Sequence, residues 1–213
     1  MDQSWQRTER LRLRPPEPGD AGDVVLLRQD PSVMRYLGGA VDSAEARRRF
    51  DGDLRHWDDH GYGMCVVEDR TTGAFTGLAG LRHFEGDPDL TYMLVAGAWG
   101  SGLATEAAGA CVAWGFDGLG AELVRAMTDL RHHASQRVLA KTGLTYVGER
   151  VLWGSRQRCY AMTASAWLLR ADPHPDLDWA RTGKAALHER RFRFHRGGLG
   201  ARRGRNDRRV SDS

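Results

Sequence analysis

Leu94-Val95-Ala96-Gly97-Ala98-Trp99-Gly100-Ser101-Gly102-Leu103-Ala104-Thr105-Glu106-Ala107 is the stretch on which the reading of this chain turns. An apolar run with β character, residues 90–95, enters a glycine-rich loop. The loop opens an alanine-rich helix over residues 102–117, which stops at Gly118 and Gly120. A loop that opens a helix leaves backbone N–H groups unpaired, and the helix dipole adds roughly 0.3–1 kcal/mol for an anion at an exposed N-terminus. Gly100 and Gly102 let a bulky anion approach the backbone. Two readings follow, a plain connector or a cradle for a phosphate or pyrophosphate. The spacing fits neither G-x-x-x-x-G-K-[ST] nor G-x-G-x-x-G, so P-loop and dinucleotide fingerprints are excluded.

Outward from this loop, strand-like and helix-like segments alternate. Residues 11–14 (Leu-Arg-Leu-Arg) alternate with period 2 and stop at Pro15-Pro16. Helices are predicted over 20–28 and 43–59, the second capped by Ser43 with Glu45 in its first turn. Strands are predicted over 64–68 and 75–81 around the turn at Asp69–Gly73, then over 122–127, 146–149 and 158–163. A helix is predicted over 134–141, ending at Gly143. Together these make a mixed α/β sheet with helices packed on its faces.

The whole chain has 213 residues, 41% of them hydrophobic, enough for one globular core and against wholesale disorder. No apolar run approaches the roughly 18–20 residues of a membrane span, and the opening residues lack the apolar stretch of a secretory signal. Cys65, Cys111 and Cys159 are far apart and odd in number. Without a C-x-x-C they suggest neither a zinc site nor a disulfide framework, and they fit a reduced, cytoplasmic setting. The net charge of +3 is split: residues 1–170 carry 20 basic and 22 acidic side chains, residues 171–213 carry 11 and 6. The composition changes at Asp172-Pro173-His174-Pro175, so a domain of residues 1–171 is expected, followed by an Arg-rich extension of 172–213. The extension reads as a solvated tail, with nucleic-acid or ribosome contact as the sharper alternative.

The segment Trp99-Gly100-Ser101-Gly102-Leu103-Ala104-Thr105-Glu106-Ala107 resembles the acetyl-CoA pyrophosphate loop of the GNAT superfamily, and of its RimJ/RimL-like N-acetyltransferases in particular. The resemblance extends over about residues 7–169. Thr8-Glu9-Arg10-Leu11-Arg12-Leu13-Arg14-Pro15 is similar to the family's opening strand, and residues 30–37 to its substrate-side helical segment. Residues 72–81 are similar to its second hairpin, and residues 134–144 to its fourth helix and the turn after it. The resemblance implies a GNAT fold, with a mixed, mostly antiparallel sheet flanked by helices. It implies acetyl-CoA as co-substrate, no metal, and an acceptor amine on a protein N-terminus or a small molecule. Loop N–H groups from Trp99 through Ala104, with Thr105 beside them, would hold the pyrophosphate. Trp99 and Ser101 replace cationic residues common in the family, and His132 replaces an Asn that helps hold the pantetheine arm.

The same resemblance assigns the chemistry. Attack by an amine on a thioester needs a neutral nucleophile, so a general base helps by about 10²–10⁴-fold. Asp89 is the candidate, and its alternative is a solvated carboxylate in the loop 85–89. Ser135 matches the position that meets the departing sulfur, and its alternative is a helix first-turn hydroxyl. Leu139 stands where many relatives have a Tyr. A backbone N–H of Leu94 or Val95 would polarise the thioester carbonyl. Tyr92 reads as core or cleft wall, Glu106 as a helix-end carboxylate, and Trp57, Trp114, Trp153 and Trp167 as core. A non-catalytic acyl-CoA sensor is the competing function, motivated by Trp99, Ser101 and His132.

Overall fold

The computed structural model describes residues 6–170. The extension 172–213 and its proposed roles lie outside the described residues. Eight strands form one sheet: β1 (Gln6–Arg7), β2 (Leu11–Arg14), β3 (Met64–Asp69), β4 (Phe75–Phe84), β5 (Asp87–Leu94), β6 (Leu123–Asp129), β7 (Thr145–Leu152) and β8 (Ser155–Thr163). Their order is β1-β2-β3-β4-β5-β6-β8-β7. Every neighbouring pair is antiparallel except β5 and β6. Six helices accompany them: α1 (Ala21–Gln29), α2 (Pro31–Met34), α3 (Ser43–His60), α4 (Leu103–Asp117), α5 (His133–Lys141) and α6 (Ala164–Leu168).

The parallel pair positions the site. β4 and β5 are paired over eight residues, from Gly77↔Leu94 to Phe84↔Asp87. β5 and β6 are paired only at Asp89↔Arg125 and Leu90↔Ala126. Beyond Leu90 the two strands part, and the sheet opens between them. Backbone groups on a strand alternate between its two neighbours. Val95 N–H donates to Thr76 O on the β4 side, so the N–H groups of Tyr92 and Leu94 point into the opening.

Each face of the sheet carries its own core. On one, α4 lays Ala107, Ala108, Cys111 and Val112 against Leu81, Leu90 and Val124. Small side chains let this crossover helix lie close to the strands it joins. On the other, Val24, Leu27, Met34 and Phe50 of the first three helices cover Met64, Val66, Leu78 and Met93. That second layer also contains a charged pair. Arg28 Nη2 lies 2.5 Å from Asp53 Oδ2, both side chains nearly inaccessible, and Asp53 holds Arg82 of β4 with its other oxygen. A buried pair of this kind adds little net stability, but removing one partner alone costs about 3–5 kcal/mol.

The structure corrects the local sequence reading in three places. The cap of α3 is Asp42, which accepts from Glu45 N–H at 2.8 Å, and Ser43 is the first helical residue. β7 and β8 run longer than expected because the hairpin turns at Trp153-Gly154, where both residues take positive φ. Trp153 is accordingly 70% exposed and is no core residue, whereas Trp57, Trp114 and Trp167 pack against the core.

Candidate active site

The glycine loop supplies donors. Gly100 and Gly102 have φ of +76° and +86°, a region that costs an L-residue roughly 1–2 kcal/mol. The turn reverses the chain at the end of β5 and aims it into α4. Trp99 N–H donates to Ala96 O, and Thr105 and Glu106 N–H both donate to Gly102 O. Between them, Gly100, Ser101, Gly102, Leu103 and Ala104 have no acceptor for their N–H groups among the described residues. Nothing lies within 4 Å of a Cβ built on Gly100, so the cradle is open to a ligand. The backbone N–H groups of Trp99 and Thr105 are engaged within the turn, which leaves those of residues 100–104 as the open donors. Trp99 instead ties the loop down, its Nε1 donating to Leu94 O at 2.9 Å. Ser101 Oγ donates to Ala98 O at 2.6 Å, and that hydroxyl belongs to the turn.

A cation also stands beside the loop, one that was not read from the sequence. Arg10, in the turn between β1 and β2, donates to Ser101 O at 2.9 Å and to Glu106 Oε2 at 2.7 Å. Glu106 accepts from Arg10 N–H and from the Thr8 hydroxyl as well. Burial would raise this carboxyl, but those bonds together hold it below the usual range. Glu106 is thus the clamp that fastens the opening turn to the first turn of α4.

The splayed strands carry the other groups. Asp89 and Tyr92 are three residues apart on β5 and so face opposite sides of the sheet. Tyr92 faces α4 and α5, where its hydroxyl lies 2.7 Å from Ser135 Oγ and 3.3 Å from Ser135 O. This contact spans the opening from β5 to the first turn of α5. Ser135 is 7% exposed. Burial pushes the Tyr92 phenol up to about 12, against the bond from Ser135, so it stays a donor at neutral pH. Tyr92 packs against the core, as expected, and adds this polar contact.

Asp89 lies on the opposite face, at the vertex where β5 and β6 are still paired. It is 8% exposed, so the solvated-loop alternative is corrected. Its Oδ1 is buried with no hydrogen-bond partner. Burial pushes the carboxyl up to about 7, and the charges of Arg125 and Arg82 act the other way. Of the two N–H groups proposed to polarise a carbonyl, Val95's is spent on Thr76 O, and Leu94's faces the opening. At the mouth, His132 stacks on Tyr36, centroids 4.4 Å apart, joining the segment after α2 to the loop after β6. Burial lowers the His132 pKa.

An anion cradle at the head of α4, a gap beside it lined by unpaired strand N–H groups, and protonatable groups on both faces of the gap define an acyl-CoA-dependent transferase. The comparisons give the family. The model of the acetyltransferase (GNAT) domain matches residues 10–145, and the chain belongs to the GNAT acetyltransferase family. It is 34% identical over 144 residues to the uncharacterized protein YkkB of Bacillus subtilis, covering 65% of this chain and 84% of that one. Among solved structures it is similar to spermidine N-acetyltransferase from Vibrio cholerae in complex with CoA and spermine, with TM-score 0.64 and 16% identity over 75% of this chain and 98% of that one. It is also similar to RimL, a ribosomal L7/L12 alpha-N-protein acetyltransferase in complex with coenzyme A, with TM-score 0.64 and 16% identity over 75% and 97%. Acetyl-CoA is therefore the co-substrate. Among the described residues no cluster of three His, Cys, Asp or Glu could hold a metal, and no helix is long and apolar enough to cross a membrane.

Proposed function

We propose that this protein acetylates a primary amine by direct attack on the thioester of acetyl-CoA, with Asp89 as the base and Ser135, backed by Tyr92, facing the departing sulfur. The observation that carries the reading is the unpartnered, buried Oδ1 of Asp89 at the vertex of the splay. The five free N–H groups at Gly100–Ala104 would hold the pyrophosphate, and Leu94 N–H would donate to the thioester oxygen. The amine nitrogen forms the new C–N bond as the C–S bond breaks. Its proton passes to Asp89, which releases it to solvent. The departing thiolate accepts a hydrogen bond from the Ser135 hydroxyl, held in place by Tyr92, and takes its proton from solvent, so Ser135 and Tyr92 end the cycle protonated. Base and acid lie on opposite faces of the sheet, so the acceptor comes from the α1–α3 side and the thiol leaves on the α4–α5 side.

The acceptor class is a protein N-terminus or a small polyamine, the two kinds of amine named for RimL and the spermidine enzyme. Trp99 and Ser101, which motivated a sensor reading, leave the backbone donors of the loop intact, and that favours catalysis. Cys65, Cys111 and Cys159 are all free, which fits a cytoplasmic setting.

The test is the pH dependence of kcat/KM for thiol release, using peptide N-termini and spermidine as acceptors. The wild type is expected to lose activity below about pH 7, as Asp89 protonates. Asp89→Asn should cost roughly 10²–10⁴-fold and abolish that limb, whereas Ser135→Ala should lower kcat and leave the limb in place. An Asp89→Asn enzyme with wild-type rate and profile sinks the assignment.

A further inference from the structure

Asp89 sits between two arginines yet pairs with neither. On β4, Arg82 is its direct cross-strand partner; on β6, Arg125 is its register partner. Cβ atoms of antiparallel partners such as Asp89 and Arg82 lie about 4.5–5.5 Å apart, well within a guanidinium's reach, and Arg125 is the neighbour across the parallel pair. Both guanidiniums are bound elsewhere through their Nη atoms, and Arg82 Nε is buried without a partner among the described residues. Arg82 Nη2 is held by Asp53 Oδ1, and Asp53 is itself fixed from behind by Arg28. Arg125 Nη2 is held by Asp87 Oδ2, and its Nη1 lies 3.5 Å from Glu85. Arg150 completes that second cluster, donating to Glu85 at 2.7 and 2.8 Å. Neither arginine forms an ion pair with Asp89 among the described residues. Three charged or titratable groups face Asp89: Arg82 from β4, Arg125 from β6 and the Cys159 thiol from β8. Asp53 reaches it from α3 only through Arg82.

We infer that Asp53 and Asp87 are positioning residues for the transfer: by engaging Arg82 and Arg125 they keep Asp89 unpaired, and so able to take the proton of the acceptor amine. A carboxylate bound to arginine is a poor base, because an adjacent guanidinium favours the charged form and lowers proton affinity by about one to three pH units. The two arginines supply nearby positive charge at a distance that does not quench the base. This inference rests on Asp89 being the base, but the sequestration can be measured without turnover.

The experiment uses the full chain labelled with carboxyl-¹³C aspartate, titrated by NMR, with the Asp89 signal assigned by its loss in Asp89→Asn. Asp87→Asn frees Arg125 at a partly exposed rim and is the variant expected to fold without difficulty. Asp53→Asn frees Arg82 but also strips Arg28 of its partner, so it is read beside Asp53→Asn/Arg82→Gln. The expected result is an Asp89 midpoint lowered by about one pH unit or more, a tenfold loss of proton affinity, in each single variant. The double variant, which lacks the Arg82 charge, should return the midpoint to the wild-type value or above it, and Asp53→Glu should restore the wild-type midpoint. An unchanged midpoint in Asp87→Asn, and in Asp53→Asn where it folds, overturns the inference. The kcat/KM profile separates the two claims. Its acid limb should follow the NMR midpoint; if the midpoint moves and the limb does not, the arginines are sequestered as inferred and the base assignment fails.

Discussion

Asp89 carries opposite consequences for activity and stability. Its carboxyl titrates near 7 in the folded chain and near 4 when unfolded. Between those values the folded state binds the extra proton, so the contribution of Asp89 to stability is greatest below about pH 4 and falls as pH rises towards 7. The full gap corresponds to at most about 4 kcal/mol above pH 7. Asp89→Asn should therefore raise the Tm at pH 8 relative to wild type while lowering the rate, and the gain should vanish at pH 4; equal Tm values at both would contradict the burial argument. The residue itself was legible in the sequence, through its place at the start of the strand that leads into the glycine loop, where the resemblance expects an acid. Its burial was not, because Glu85-Gly86-Asp87-Pro88 reads as a solvated turn and only the pairing of β5 with both β4 and β6 encloses Asp89. Tyr92 packs against the core as the sequence suggests, but its polar contact was hidden for a related reason. An aromatic residue on a strand signals core, and nothing local shows that its hydroxyl ends at Ser135, 43 positions away. Of the two residues offered for the carbonyl, Leu94 or Val95, the alternation of N–H directions along a strand leaves Leu94 facing the opening.

At the scale of elements, the loop and the head of α4 act as one unit. Gly102 starts the helix with φ of +86° and no side-chain cap, and the clamp of Glu106 to Arg10 and Thr8 sets where the first turn lies. Gly102→Ala should strain the turn by roughly 1–2 kcal/mol and weaken acetyl-CoA binding by about tenfold or more, measured by calorimetry. Unchanged affinity would mean that the loop backbone is not the cradle. This loop was legible because glycine spacing and helix onset are local signals. Arg10 was not, because its place beside Ser101 depends on β2 pairing with β3 and passing near α4. Short elements were lost for another reason: β1, with two residues, and α6, with five, are too short for any periodicity.

The whole molecule is organised by one irregularity, the parting of β5 and β6 after two paired residues. A continuous sheet would satisfy the N–H groups of Tyr92 and Leu94 with β6; the splay leaves them for a ligand and lets two faces of the sheet meet at one point. Strand order and the single parallel pair follow from the α4 crossover, which the alternation of segments suggested, but where the pairing stops is a tertiary property with no sequence signature. The central claim is that the amine attacks the thioester directly across this gap. The measurement that tests it most directly mixes the full chain with acetyl-CoA, with and without acceptor, and follows intact-protein mass together with free thiol and N-acetyl product. The account predicts one acetamide for each thiol released and a protein mass unchanged at every time. An acetylated protein that forms before the amine is added, and transfers its acetyl group when the amine arrives, would contradict it.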